Sequence, residues 1–68
     1  MEKHKISSEY IKLDQFLKWV GAVGQGSDAK LIVQEGLVTV NDEVELRRGK
    51  KLRPGDIVEF SGIQYEVE

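Results

Sequence analysis

The apolar residues of this chain change their spacing once, at Gly36. Before it they fall at i, i+3, i+4 and i+7, twice over: Leu13, Phe16, Leu17 and Val20, then Ala29, Ile32, Val33 and Gly36. That is the spacing of one buried stripe on an α-helix. After Gly36 the apolar residues alternate, as Val38 and Val40, Val44 and Leu46, then Ile63, Tyr65 and Val67. A period of two belongs to a strand with one covered face. The pattern predicts an α+β fold: two short packed helices on a small antiparallel sheet of about four to five strands.

Local signals place the joints. Helix one spans 12–21, with Asp14 at its positive dipole end and Gly21 as terminator. Lys12, Gln15 and Trp19 share the flank away from its apolar stripe. Gly21 to Gly26 is a Gly-rich connection, Ser27 is the expected N-cap of helix two, and Asp28 falls in its first turn. Asn41-Asp42 suits a hairpin turn with positive φ. Arg53-Pro54-Gly55-Asp56 has Pro and Gly where a type II turn prefers them. Ile57 to Phe60 reads as a strand and Ser61-Gly62 as a turn. Near the start, His4, Ile6 and Ser8 alternate with Lys5, Ser7 and Glu9, which suits an edge strand over 4–11.

With 68 residues, the expectation is one small domain over 1–68, without room for a catalytic and an accessory unit. The absence of Cys removes disulfides, thiolate nucleophiles and Cys-based metal sites. No apolar run is long enough to span a membrane, and Met1-Glu2-Lys3-His4-Lys5 is polar with no apolar stretch behind it. A cytoplasmic protein without a secretory signal is therefore expected. The single His4 has no partner in sequence and reads as solvated, and no Ser/His/Asp or metal-ligand constellation can be assembled. An enzyme, a cofactor and a small-molecule substrate are not expected.

Charge supplies the functional signal. The net charge of −2 conceals five cations within seven positions: Arg47, Arg48, Lys50, Lys51 and Arg53. The remainder holds five lysines against twelve carboxylates. Such a body does not coat polyanions at large, but a focused basic loop can take a phosphodiester backbone by displacing its counterions. Gly49 lets that loop approach closely. Taken alone, the charge cluster fits a solvated loop equally well. The stretch Gly24-Gln25-Gly26-Ser27 likewise reads either as an interhelical turn or as a phosphate seat at a helix start. Trp19, off the apolar stripe, either stacks on an unpaired base or covers the edge of a small core, the commoner use.

Three pieces of the chain resemble a known family. They are Lys12-Leu13-Asp14-Gln15-Phe16-Leu17, Ser27-Asp28-Ala29-Lys30 through Gly36, and Val38-Thr39-Val40-Asn41-Asp42 with Leu52, Gly55-Asp56 and Ile57-Val58 after it. Their order and spacing resemble the RNA-binding domain named after small-subunit ribosomal protein four, the alpha-L motif, over about 11–60. The stretch from Asn41 to Leu52 is further similar to its small stand-alone bacterial members, called YaaA-like. The resemblance implies two helices on a small sheet and binding to structured RNA, mainly ribosomal or transfer RNA. It implies RNA contacts at Lys12, Gln25, Gly26, Ser27, Lys30 and Gln34, beside the loop cations Arg47, Arg48, Lys50 and Lys51. Family members commonly carry Ser-Arg where this chain has Gln25-Gly26, and often a basic residue at Thr39, which shifts weight to the loop at 47–53. Two alternatives follow. One is a protein-interaction module that keeps the fold with reduced RNA binding. The other, ranked last, is a regulator that touches DNA.

Overall fold

In the computed structural model, residues 1–24 and 28–68 are described. Among the described residues nine elements follow one another: β1 (Glu2–His4), β2 (Ile11–Lys12), α1 (Leu13–Trp19), α2 (Ala29–Gln34), β3 (Val38–Val40), β4 (Glu43–Val44), β5 (Lys51–Leu52), β6 (Ile57–Phe60) and β7 (Ile63–Val67). Five strands form one sheet in the order β1-β7-β6-β3-β4, and β2 and β5 form a separate two-stranded ladder. The α+β expectation holds, with one difference. β1 runs parallel to β7, so the main sheet is mixed, while its other ladders are antiparallel.

A helix of seven residues has no independent stability in water. α1 exists because its stripe is buried: Leu13, Phe16 and Leu17 have no exposed surface. α2 contributes Ala29 and Val33, and the sheet contributes Val38, Val40, Val58, Tyr65 and Val67. Fully burying side chains of this size is worth about 1.5–3 kcal/mol each, so a few of them decide the fold. Leu52 completes the core from the short ladder. It anchors one end of the basic segment, whose neighbours Lys51 and Arg53 are exposed.

The turns follow their residues. Asn41 and Asp42 take φ of 52° and 68°, the signs a type I′ hairpin requires. Gly55 takes φ of 101°, and the Asp56 amide donates to the Arg53 carbonyl at 3.0 Å, closing the Pro-Gly turn. Gly36, at φ 79°, sits just past α2.

Three local expectations are corrected. The first strand lies at Glu2–His4, and residues 7–9 bend before β2 begins at Ile11. The His4/Ile6/Ser8 alternation does not continue as a strand because the parallel ladder ends at the His4–Val67 pair. Ile6 makes a last backbone bond to the Glu68 carbonyl at 2.9 Å. The N-cap of α2 is Asp28, not Ser27: its carboxylate accepts from the Leu31 amide at 3.3 Å. His4 is not solvated. It is half-buried, with Nε2 3.1 Å from Glu2 Oε1 and its ring 5.7 to 6.2 Å from the centroids of Trp19, Tyr65 and Phe16.

Candidate RNA interface

The short β2–β5 ladder builds the site. Its register sets Ile11 opposite Leu52 and Lys12 opposite Lys51. Alternation sends the first pair toward the core and the second outward, so two lysines distant in sequence emerge side by side. Like charges directly opposite on a ladder are destabilising.

The start of α1 fixes the loop to these lysines. Lys12 is the N-cap residue but makes no side-chain cap. The loop supplies the acceptors instead: the Leu13 amide donates to the Lys50 carbonyl at 2.9 Å and the Asp14 amide to the Arg48 carbonyl at 3.0 Å. Helix amides that need partners are thus satisfied by the backbone of the basic loop. The Arg47 carbonyl accepts from the Lys50 amide at 3.2 Å and closes the turn around Gly49. Arg47, Gly49, Lys50, Lys51 and Arg53 line one open concavity of about 490 Å³.

The cations are not equivalent. Arg47 is held by Glu45: Nε donates to Oε2 at 3.0 Å, Nη2 to Oε1 at 3.3 Å, and the Arg47 amide also donates to Oε2. The hydrogen bond to Arg47 keeps the Glu45 carboxyl below its usual range and raises the guanidinium in turn. Among the described residues no other Lys or Arg is ion-paired. Lys51 lies over the Tyr10 ring, its Nζ 4.9 Å from the centroid, a cation–π contact that orients the side chain without neutralising it.

The ladder and the two backbone bonds at the start of α1 therefore bring the main chain at Lys12, Arg48, Lys50 and Lys51 together. Lys30 and Gln34 are exposed on α2, with no hydrogen bond or ion pair linking them to the loop among the described residues. Gln25, Gly26 and Ser27 lie outside the described residues. At the start of α2, the Asp28 carboxylate already occupies the Leu31 amide. Two members of the neighbourhood are absent from the sequence-based set. Arg53 was signalled by its place in the basic segment; Tyr10 had no signal beyond being an aromatic close to Lys12. No helix among the described residues is long and apolar enough to cross a membrane.

Comparison with known proteins gives the family of the chain. The chain is 47% identical over 57 residues to the "Probable ribosome maturation protein RlbA" of Bacillus subtilis (strain 168), covering 84% of this chain and 80% of that protein. It is 34% identical over 58 residues to the "Putative RNA-binding protein YbcJ" of Escherichia coli (strain K12), covering 85% of this chain and 83% of that protein. No solved structure matches. The family model described as "S4 domain" matches residues 4–68, nearly the whole chain and more than the three sequence pieces span. The chain belongs to the S4 RNA-binding domain family.

Proposed function

We propose that this chain is a non-enzymatic module that binds structured RNA through backbone phosphates, with ribosomal RNA the first candidate and transfer RNA the second. The observation that carries the reading is the Lys12–Lys51 register pair, continued by Arg48 and Lys50 through the bonds that cap α1. Arg53 extends the patch, and Lys30 and Gln34, with Gln25, Gly26 and Ser27, would carry a longer RNA over α2. Ribosomal RNA is favoured by the printed name of the Bacillus relative. A cytoplasmic place beside ribosomes or their precursors follows from the same reading. The work asked of the chain is docking, which needs fixed cations rather than a general acid or base. A-form RNA is recognised largely by the geometry of its backbone and its 2′-hydroxyls, which suits a rigid patch.

The test is a titration of ribosomal RNA fragments at several salt concentrations. Neutralising about five phosphates gives a log–log slope near −3.5 to −4.5. The double change Arg48→Ala with Lys50→Ala should flatten the slope and weaken binding. A flat salt response in the unaltered protein, or unchanged affinity in the double variant, ends the reading.

One observation favours a second reading, a protein-interaction module with reduced RNA binding. Leu31, Leu37, Val44 and Leu46 are each more than half exposed. Val44 and Leu46 lie against Gly36 at the end of α2. A protein partner recovered after RNase treatment, together with no RNA affinity, would select it.

A further inference from the structure

We infer that Trp19 and the segment 5–11 form a seat for one unpaired base of the bound RNA. The inference rests on the RNA-binding reading and specifies the kind of RNA: a folded RNA with a bulged or looped-out nucleotide beside the phosphates that the lysines hold.

Trp19 is 52% exposed, although it is the largest side chain in the molecule. It is not loose. His4 and Phe16 meet it in edge-on arrangements, with centroids 5.7 and 6.2 Å away. No described aromatic ring lies parallel on the indole. Beside it is a cavity of about 240 Å³ lined by Lys5, Ile6, Ser7, Ser8, Ile11 and Trp19. That lining combines an aromatic ring and two aliphatic walls with hydroxyls and a rim cation. Such a set suits a nucleobase, with its flat apolar face, polar edge and attached phosphate.

The wall is built rather than floppy. Ile6 is tied to the Glu68 carbonyl, the Glu68 amide donates to the His4 carbonyl at 2.9 Å, and Ser8 Oγ donates to the Tyr10 carbonyl at 2.8 Å. The Ser7 side chain makes no hydrogen bond among the described residues, which leaves its hydroxyl for a base edge.

Continuity with the cation patch selects the occupant. Ile11, in the cavity wall, pairs with Leu52 next to the Lys12–Lys51 pair, and Tyr10 carries Lys51 on its ring. Along α1, Trp19 lies seven residues beyond Lys12, about 10 Å at 1.5 Å per residue. A strand whose phosphates rest on Lys12 and Lys51 would pass the cavity within a short reach, with Lys5 at its rim. An apolar peptide would gain nothing from that cationic border.

Trp19 is the sole tryptophan, so the emission of the unaltered protein reports this site alone. The probes are a short RNA hairpin with one bulged nucleotide and the same hairpin fully paired, both at low salt. The bulged hairpin should bind more tightly and quench the emission, and the paired one should bind without strong quenching. With end-labelled RNA, Trp19→Leu should lose about 5- to 150-fold in affinity for the bulged hairpin, the range of one base–aromatic stack. It should bind the paired hairpin as before, and Trp19→Phe should retain most of the preference. Equal binding of both hairpins without quenching overturns the base seat and leaves RNA binding standing. Failure to bind either hairpin overturns both readings.

Discussion

The side-chain amide of Asn41 donates to the Asp56 carboxylate at 3.1 Å, while its carbonyl oxygen accepts from the Ile57 amide at 3.0 Å. One residue thus joins the β3–β4 turn to the turn before β6, and every cation of the basic segment lies in the chain between them. Asn41→Ala removes both bonds and puts a Cβ-bearing residue without local hydrogen bonding at φ 52°. The predicted loss is about 2–4 kcal/mol, from two net hydrogen bonds and the left-handed backbone. Asp42→Gly should act oppositely. At φ 68° glycine avoids the side-chain penalty, and Asn-Gly is the preferred type I′ pair, for a gain of about 0.5–1 kcal/mol after its entropic cost. Urea midpoints for the two variants should move to opposite sides of the parent; movement in the same direction contradicts this account of the turn.

The Lys12–Lys51 pair should show stability and binding in opposition. The two residues oppose each other on the ladder and neither has an ionic partner among the described residues. Lys12→Glu converts repulsion into attraction across the ladder, worth about 0.2–1 kcal/mol. The variant is predicted to melt at a higher temperature than the parent and to bind RNA more weakly. Lys12→Ala should be neutral to slightly stabilising and reduce the salt slope by about 0.7–0.9, one phosphate contact. If Lys12→Glu lowers stability, the lysine pair has a structural use that the ladder does not reveal.

Much of this fold was legible because its residues carry local instructions. Leu13, Phe16 and Leu17 name a buried helix face, and Asn41-Asp42 and Pro54-Gly55 name their turns. The basic segment was legible as charge. What could not be read was pairing between elements. Nothing local says that Lys12 will oppose Lys51, since a two-residue ladder has no periodicity of its own and its register is set by Ile11 and Leu52 entering the core. The parallel placement of β1 beside β7 is equally non-local, and it carries His4 into the aromatic cluster. The Arg47–Glu45 pair is local by contrast, two residues apart, but charge counting alone does not say that the two side chains turn toward each other. Lone residues such as Trp19 and His4 take their meaning from neighbours distant in the chain.

Glu45 is the natural place to look for restraint on RNA affinity. Its carboxylate accepts three hydrogen bonds from Arg47, one from the backbone amide and two from the guanidinium, so it competes with a phosphate for that cation. Glu45→Gln removes the charge and keeps the shape. The predicted result is tighter RNA binding at low salt and a log–log slope steeper by about 0.7–0.9, one added phosphate. The further change Arg47→Ala should abolish the gain. Binding that weakens in Glu45→Gln would mean that Glu45 positions Arg47 for the RNA instead of competing with it.

Alkaline stability should report on Tyr65. Burial in the core pushes its phenol above the usual value of 10.0, and the Glu2 carboxylate, its register partner on β1, pushes it in the same direction. The folded chain therefore keeps the phenolic proton over a range in which the unfolded chain has lost it. Where the native state binds more protons, stability falls as pH rises. The contribution is whole below about pH 10 and is lost progressively as pH climbs from there through the raised folded value. Tyr65→Phe removes this titration, so its stability curve should be flatter than the parent's above pH 10 even if it starts lower. In a Tyr10→Phe background, phenolate absorbance follows Tyr65 alone, since these are the two tyrosines of the chain. There, Glu2→Gln should shift the midpoint part of the way down, because burial is the larger cause. A parent and a Tyr65→Phe variant that lose stability in parallel above pH 10 would show that the alkaline limb does not come from Tyr65.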